Sequence, residues 1–326
     1  MKISVLGSGS WGIALAMTLN KKKHSVTLWS FFEDEINELD KNKKSKLLKD
    51  VSIPREIKMT SDLKSAVDGA EMLVIAVPSH VVRKTVESLK EFEKLPLVVN
   101  VAKGFDEENN QRLSVVIKEI LNTDKVVVLS GPTHAEEVAR YIPTTIVAAC
   151  ENEDYAKQVQ SAFMCDSLRV YTNTDVIGVE VAGALKNVIA LCAGISDGIG
   201  LGDNSKAALM TRGMKEICEL GVAMGGKPET FMGLTGMGDL IVTCTSMHSR
   251  NRRAGILIGQ GMSLEDATNE VKMVVEGVKS CVCAYKLAEK YNVEMPIVKT
   301  AYDVLYNGYK ASEVVYDLMM RDRKSE

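Results

Sequence analysis

One lysine lies inside a stretch of sequence that is otherwise apolar and helical in its spacing. Lys186 follows Gly183-Ala-Leu and precedes Asn187-Val-Ile-Ala, so we expect its ammonium group to lose hydration. Loss of hydration disfavours the charged form of a lysine, and a nearby cation such as Lys103 would disfavour it further. A lysine tuned in this way can exchange a proton near neutral pH. The alternative is a lysine whose stem packs on the helix while its charge reaches the surface.

A second group of polar residues has the composition of an anion site. Ser249, Arg250 and Asn251 come shortly after a glycine-rich segment, residues 233–243. An arginine guanidinium pairs with two phosphate oxygens at once, and serine and asparagine add neutral donors. The alternative is a basic surface turn, since two further arginines follow directly.

The N-terminus has the spacing of a dinucleotide-binding turn. A short apolar strand is followed by Gly7, Gly9 and Gly12 and then by an alanine-rich helix. Gly7 permits the sharp turn, Gly9 lets the backbone approach a pyrophosphate, and Gly12 lets the helix pack against the strand. The helix N-terminus directs N–H groups and a favourable dipole at the phosphates. The alternative is a tightly packed glycine turn that binds nothing.

Alternating strand and helix patterns surround this turn and predict an α/β fold, a doubly wound, mostly parallel sheet with helices on both faces. Two later strand patterns are expected to close the sheet as an antiparallel edge unit. The polar, basic segment 41–49 is expected to be a loop or a helix end. The predicted strands are residues 2–6, 25–29, 72–77, 97–100 and 126–129, with 144–149 and 168–171 at the edge, and the predicted helices are 13–21, 63–67, 81–89 and 113–121.

Strand patterns nearly vanish beyond Asp175, and helical spacing replaces them. We therefore expect two domains: a Rossmann domain, residues 1–176, that binds a dinucleotide, and an all-α domain, residues 177–326, that binds the substrate and carries the catalytic lysine. The substrate is expected at the carboxyl ends of the parallel strands. The predicted helices of the second domain are residues 176–195, 206–224, 263–275, 277–291, 296–305 and 311–320.

The composition is that of a globular protein with a sizeable core. Of the 326 residues, 46% are hydrophobic and 25% are charged, and a net charge of -3 gives no support for a nucleic-acid partner. No apolar stretch is expected to be long enough to span a bilayer, and the chain starts on a core strand, so no signal peptide is expected. The seven cysteines show no metal-ligand spacing and are expected to be free in a reducing cytoplasm. A homodimer is compatible with the sequence, which does not determine the oligomeric state.

The motifs together resemble those of the bacterial NAD(P)-dependent glycerol-3-phosphate dehydrogenase family. The resemblance implies that dihydroxyacetone phosphate is reduced to sn-glycerol 3-phosphate, the headgroup precursor of phospholipids. It implies NADH or NADPH as the hydride donor to C2, a small phosphorylated substrate and no metal. It covers nearly the whole chain and rests on the glycine turn, Asn100-Val-Ala-Lys103-Gly104, Ser130-Gly-Pro-Thr-His-Ala135, Glu180-Val-Ala-Gly183-Ala-Leu-Lys186-Asn187, and residues 233–253.

The resemblance also implies roles for individual residues. Lys186 exchanges the proton with the substrate oxygen, and Asn187 and Asp239 bind substrate hydroxyls and position that lysine. Lys103 orients the substrate carbonyl, and Thr243 belongs to the same catalytic group. The implied substrate-binding residues are Lys103, Gly131, Thr133, Lys186, Asp239, Ser249, Arg250 and Asn251. The implied cofactor-binding residues are Gly7, Gly9, Ser10, Trp11, Gly12, Phe31, Phe32, Lys103, Ala135, Arg250, Val274 and Glu276.

The end of the second strand departs from the family pattern. Many relatives carry an arginine just after the tryptophan, where it can meet the 2′-phosphate of NADP, but Phe31 and Phe32 stand here. An NAD enzyme normally offers an acidic side chain to the ribose hydroxyls at this point. Glu33 and Asp34 come a few residues late for that role. We expect NADH to be used at least as well as NADPH.

Two alternative functions remain open at this point. A β-hydroxyacid or ketopantoate-type dehydrogenase would share the Rossmann domain, the helical domain and the helix lysine. In the hydroxyacid enzymes, however, the asparagine lies a helical turn beyond the lysine, whereas Asn187 is adjacent to Lys186. A catalytically silent nicotinamide-binding sensor would keep the glycine turn but need not keep Lys186, Lys103 and Asp239.

Overall fold

The structure is a computed structural model that describes residues 1–320 and 322, and it divides into two compact units, Met1–Glu180 and Val181–Glu326. The division falls at Glu180, inside the long helix Val176–Ile199. The strands all belong to the first unit: β1 (Lys2–Leu6), β2 (Ser25–Trp29), β3 (Lys44–Ser45), β4 (Leu48–Ser52), β5 (Lys58–Thr60), β6 (Met72–Ile75), β7 (Leu97–Asn100), β8 (Phe105–Asp106), β9 (Gln111–Arg112), β10 (Val126–Ser130), β11 (Thr144–Ala149) and β12 (Leu168–Asn173).

The first unit is built on one eight-stranded sheet in the order β12-β11-β10-β7-β6-β1-β2-β5. Every neighbouring pair is parallel except β10 with β11, which is antiparallel. The predicted doubly wound, mostly parallel fold is therefore confirmed. The helices of this unit are α1 (Ser10–Lys21), α2 (Glu33–Asn42), α3 (Leu63–Val67), α4 (Ser79–Glu87), α5 (Leu113–Leu121), α6 (Ala135–Val138) and α7 (Glu153–Phe163), with a 3-10 turn at Ser88–Glu91.

Both faces of this sheet are buried, which explains the continuous apolar runs of the central strands. On one face, Ile3 and Val5 of β1 pack with Leu15 of α1. On the other face, Leu6 packs in a cluster with Val82 of α4 and Ile117 of α5. The central strands are therefore covered by helices on both sides, and the polar residues that end them lie at the sheet's carboxyl edge.

Several segments of the first unit differ from the sequence-based prediction. The segment 41–49 contains the end of α2, which agrees with the expected helix end, and most of a hairpin, β3 with β4, which was not predicted. Helix α2 was not predicted because it buries only Ile36 and Leu39, too few residues to show a period. Strand β5, helix α6 and helix α7 were also not predicted; they are short or largely polar.

The second unit, over its described residues, consists of helices. They are α8 (Val176–Ile199, which begins in the first unit), α9 (Asp203–Ala223), α10 (Pro228–Phe231), α11 (Asp239–Thr245), α12 (Arg250–Gly259), α13 (Leu264–Val271), α14 (Glu276–Tyr291), α15 (Pro296–Tyr306) and α16 (Ala311–Met319), with a π-helical segment at Leu234–Gly238. The predicted helical second half is confirmed, although α10, α11 and α12 were not predicted because glycines and polar residues interrupt their pattern.

Helix α8 corrects one expectation, because its 24 residues are long and apolar enough to cross a membrane by length and composition. Within the structure, 89% of its most apolar window is buried inside the protein, as in the core helix of a globular domain. Helix α12 lies against α8 at backbone contact. A Cβ on Gly194 would come within 2.1 Å of the Arg252 carbonyl oxygen, and one on Gly255 within 2.1 Å of the Leu191 carbonyl oxygen. These glycines therefore set how closely the start of α12 approaches α8.

Candidate active site

The turn between β1 and α1 leaves no room for side chains at two of its three glycines. Gly7 has a φ of 126°, and a Cβ there would lie 2.6 Å from the Ala76 carbonyl oxygen. A Cβ on Gly12 would lie 2.0 Å from the Gly7 carbonyl oxygen. A Cβ on Gly9, in contrast, would meet no atom within 4 Å. The turn is tightly packed at Gly7 and Gly12 and open at Gly9. A ligand could therefore approach the backbone at Gly9.

The start of α1 has the donors that a pyrophosphate needs. Gly9 is the N-cap of α1 and has no side chain to accept from the first N–H groups of Ser10 and its neighbours. The indole Nε1 of Trp11 is buried, and no hydrogen-bond partner for it exists in the described part of the chain. An orphaned donor beside an uncapped helix N-terminus fits an anionic ligand. These residues therefore fit the pyrophosphate of a dinucleotide.

Beyond β2, two aromatic rings project from the protein. Phe31 is 70% exposed and Phe32 is 63% exposed, and their centroids lie 5.5 Å apart in an edge-to-face arrangement. The ammonium group of Lys84 lies 5.8 Å from the centroid of Phe31. These exposed phenyl faces offer a stacking surface to a base.

Neighbouring strands bring together three residues predicted to contact the substrate. Lys103 follows β7, and Gly131 and Thr133 follow β10, the strand that pairs with β7 in parallel. Lys103 Nζ donates to the Gly131 carbonyl oxygen at 2.8 Å, and Thr133 Oγ1 donates to the same oxygen at 3.1 Å. Ser130, at the end of β10, has a buried hydroxyl oxygen without a partner among the residues described. Ala135 is buried at the start of α6.

In the second unit, Lys186 is not a surface residue. It is 5% exposed, and its Nζ donates to Asp239 Oδ1 at 2.8 Å and to Thr243 Oγ1 at 2.7 Å. Thr243 in turn donates to the Asp239 carbonyl oxygen at 2.6 Å. Asp239 is the first residue of α11, and Gly238 is the N-cap of that helix. Burial raises the pKa of the adjacent Cys244 thiol to about 12, so this thiol stays protonated beside the cluster.

The pairing of Lys186 with Asp239 predicts a large effect of Asp239→Asn on stability. The amide would leave a buried ammonium without its counter-charge, and breaking such a pair typically costs about 3–5 kcal/mol in the free energy of unfolding. Chemical denaturation of the variant measures that loss. The control is the double variant Asp239→Leu with Lys186→Met, which removes both charges and is expected to be more stable than the single variant. A single variant as stable as the wild type would contradict a charged pair.

Asn187 and Asn251 form a hydrogen-bonded chain that joins three helices. Asn251 Nδ2 donates to Asn187 Oδ1 at 2.9 Å, and the Gly277 N–H donates to Asn251 Oδ1 at 2.8 Å. A Cβ on Gly277 would come within 2.5 Å of the Asn187 carbonyl oxygen, so the start of α14 lies directly on α8. The chain thereby brings the partly buried Val274 and Glu276 close to the start of α12, where Arg250 lies.

The predicted anion site, Ser249 to Asn251, is part of a helix start and not a surface turn. Ser249 is the N-cap of α12, and its Oγ accepts from the Arg252 N–H at 3.2 Å. Arg252 donates to Asp197 on α8 from Nε at 2.9 Å and pairs through Nη2 at 2.8 Å. Lys206 lies 2.7 Å from the other carboxylate oxygen of Asp197. This ionic group holds the segment that carries the partly buried Arg250.

Sequence reasoning missed Asp197, Lys206 and the structural role of Arg252. No local signal marked them, because their pairing depends on how α8, α9 and α12 pack. Glu180 was quoted only as part of a motif. Its carboxylate accepts from the Ser114 N–H at 2.8 Å, from Ser114 Oγ at 2.5 Å and from Arg112 Nη1 at 2.8 Å. The start of α8 is thereby fixed to α5.

Comparison with known proteins gives a consistent result over the whole chain. The family described as NAD-dependent glycerol-3-phosphate dehydrogenase matches with its N-terminal part over residues 2–156 and with its C-terminal part over residues 175–316. Glycerol-3-phosphate dehydrogenases [NAD(P)+] from Thermoanaerobacter sp. (strain X514) and from Clostridium perfringens (strain 13 / Type A) are 57% and 56% identical, each covering 100% of this chain and 99% of the relative.

The structural comparison agrees. The crystal structure of glycerol-3-phosphate dehydrogenase from Coxiella burnetii superposes with a TM-score of 0.94 at 35% identity, covering 98% of this chain and 99% of that one. Similarity at this level extends over the Rossmann strands and the helical unit alike. The matched family is also the one that the motifs resemble.

Proposed function

This chain belongs to the NAD-dependent glycerol-3-phosphate dehydrogenase family, and from that premise we propose how its residues interconvert dihydroxyacetone phosphate and sn-glycerol 3-phosphate. The chain is an NAD(P)-dependent oxidoreductase. The observation that carries the mechanism is the buried group of Lys186, Asp239 and Thr243, in which the lysine Nζ lies within 2.8 Å of both partners.

The reaction adds a hydride and a proton across the C2 carbonyl. When bound, the reduced nicotinamide supplies the hydride. Lys186 gives a proton to the carbonyl oxygen during reduction and takes it back during oxidation. Asp239 and Thr243 hold Nζ in one place, which removes the entropy cost of orienting a flexible lysine at the reacting oxygen. The positive charge of the ammonium group also stabilises the oxyanion that develops there.

We assign the phosphate of the substrate to the start of α12. Arg250 offers paired donors, and the hydroxyl hydrogen of Ser249 and the second amide hydrogen of Asn251 can add to them. The carbonyl oxygen of the Asn251 side chain is already used by the Gly277 N–H. Asn251 and Asn187 therefore act mainly as positioning residues, because their hydrogen bonds hold Arg250 near the lysine-bearing helix.

We assign the dinucleotide to the first unit. Gly7, Gly9, Ser10, Trp11 and Gly12 would hold the pyrophosphate, and the exposed rings that follow β2 would hold the adenosine half. Lys103, with Gly131 and Thr133, is assigned to contacts with the substrate and with the reacting end of the cofactor. Ala135, Val274 and Glu276 complete the proposed cofactor contacts.

The test of the proposed function is the loss of reduced-nicotinamide absorbance when dihydroxyacetone phosphate is added. NADH and NADPH are run in parallel, and the matched controls are 2-oxo acids, including ketopantoate. Turnover of dihydroxyacetone phosphate alone supports the proposal. Turnover of ketopantoate or a hydroxyacid pair instead would favour the related dehydrogenases, and binding without any turnover would favour a sensor.

The strand end after β2 makes a prediction about cofactor choice. Phe31→Arg is expected to raise kcat/KM for NADPH relative to NADH, because an arginine there can form a charge-assisted contact with the 2′-phosphate. The wild type is expected to use NADH at least as well as NADPH. Initial rates with both cofactors measure the ratio, with Phe31→Leu as the control for loss of the ring. A strong NADPH preference in the wild type would contradict this reading.

We place the product in the supply of phospholipid headgroups and the enzyme in the cytoplasm. All seven cysteines are free in the structure, which suits a reducing compartment.

We also propose that the chain functions as a homodimer, which sedimentation of the purified protein tests directly.

A further inference from the structure

One acidic side chain contacts the glycine turn from outside it. Ser8, between Gly7 and Gly9, is 6% exposed, and its Oγ donates to Glu35 Oε1 at 3.0 Å. Glu35 belongs to the first turn of α2 and is exposed. A carboxylate held by the turn therefore faces solvent beside the backbone that would receive a dinucleotide.

The topology of the sheet places Glu35 there. Strands β1 and β2 pair in parallel, so their carboxyl ends lie side by side, and the Gly7 N–H donates to the Trp29 carbonyl oxygen at 2.9 Å. Helix α2 starts soon after β2, and its first turn brings Glu35 back to Ser8. Glu35 lies six residues after the end of β2, which in the sequence is too far from the strand end to bind the ribose. The first turn of α2, however, brings it back to the strand end.

We propose that Glu35 is the residue that selects NAD(H) over NADP(H), by accepting a hydrogen bond from the adenine ribose 2′-hydroxyl. This inference rests on the proposed function for the identity of the cofactor. In dinucleotide-binding folds an acidic residue at the end of the second strand binds this hydroxyl. The same carboxylate repels a 2′-phosphate, so one group both favours NAD(H) and disfavours NADP(H). Ser8 is the positioning residue that holds the carboxylate.

The surrounding charges support that assignment on balance. Glu33 and Asp34 share the first turn of α2 with Glu35, so three carboxylates stand where a phosphate would need positive side chains. The opposing group is Lys84, whose ammonium lies over the ring of Phe31. Lys84 is thus the residue that would bind a 2′-phosphate if Glu35 did not determine the cofactor preference.

Calorimetric titration with two fragments tests the proposal without turnover. The probes are ADP-ribose and its 2′-phosphorylated form, titrated into the wild type, Glu35→Gln, Glu33→Gln and Lys84→Met. The wild type is expected to bind ADP-ribose more tightly. Glu35→Gln is expected to move the ratio of the two dissociation constants by about tenfold or more toward the phosphorylated form, as a charged hydrogen bond is lost and a repulsion removed. Glu33→Gln removes the same charge from the same turn and is expected to move it much less.

Three results would overturn the assignment. They are a ratio in Glu35→Gln within twofold of the wild type, an equal shift in Glu33→Gln, or a wild-type preference for the phosphorylated probe that Lys84→Met abolishes. The circular dichroism spectrum of each variant shows that it is folded. Failure of the proposed function is separate, because it would appear as no oxidation of NADH with dihydroxyacetone phosphate while the fragment ratios still shift.

Discussion

Lys186→Ala is expected to lower kcat by about a hundredfold to ten-thousandfold, the usual range for losing a general acid. The variant removes the proton donor, while the proposed dinucleotide contacts of the glycine turn remain. The dissociation constant for NADH should therefore change little. Steady-state rates with dihydroxyacetone phosphate and a separate NADH titration measure the two effects.

A charge-matched variant separates proton transfer from simple electrostatics. Lys186→Arg keeps a positive charge, but an arginine does not release its proton near neutral pH. If the lysine acts as an acid, the arginine variant is expected to be nearly as slow as the alanine variant. Lys215→Ala, at an exposed position on α9, is the control for removing a lysine elsewhere in the helical unit. A folded Lys186→Ala variant with near-normal kcat would refute the assignment.

Arg250→Ala is expected to lower kcat/KM for dihydroxyacetone phosphate. The expected loss corresponds to a few kcal/mol of transition-state stabilisation, on the order of the cost of leaving a charged group without its partner. The phosphate is remote from the reacting carbonyl, so part of its binding energy can hold the substrate in reactive geometry. The loss is therefore expected in kcat as well as in KM. Initial rates over a range of substrate concentration separate the two constants.

The unphosphorylated substrate provides the internal control for Arg250. Dihydroxyacetone lacks the anchored group and is expected to react slowly with the wild type and about equally slowly with Arg250→Ala. Added phosphite should partly restore the rate of the wild type with dihydroxyacetone, and should restore the variant less. Arg212→Ala, an exposed arginine on α9, is the matched control. Equal losses on both substrates would indicate a structural defect, and no loss on either would return Arg250 to a surface role.

Much of the fold was readable from local patterns. The run from Lys2 to Gly12 contains its own strand, turn and helix start, and the structure shows each of them at those residues. Apolar runs predicted the central strands because both faces of the sheet are buried, so every position along them is selected for burial. Helix α2 and the β3–β4 hairpin were not predicted because they bury few residues, so no apolar period marks them.

The sequence by itself determined the residue types that the chemistry requires and the two kinds of unit that carry them. The tertiary structure alone decided which of these residues are hydrogen-bonded to one another. Lys186 and Asp239 are 53 residues apart, and Asn187 and Asn251 are 64 apart, yet both pairs are hydrogen-bonded. Ser8 and Glu35 meet only because β1 and β2 pair in parallel. Whether a residue is buried can be inferred from the pattern of its neighbours in the sequence. A contact between distant residues depends instead on how whole helices and strands pack, which no local pattern encodes.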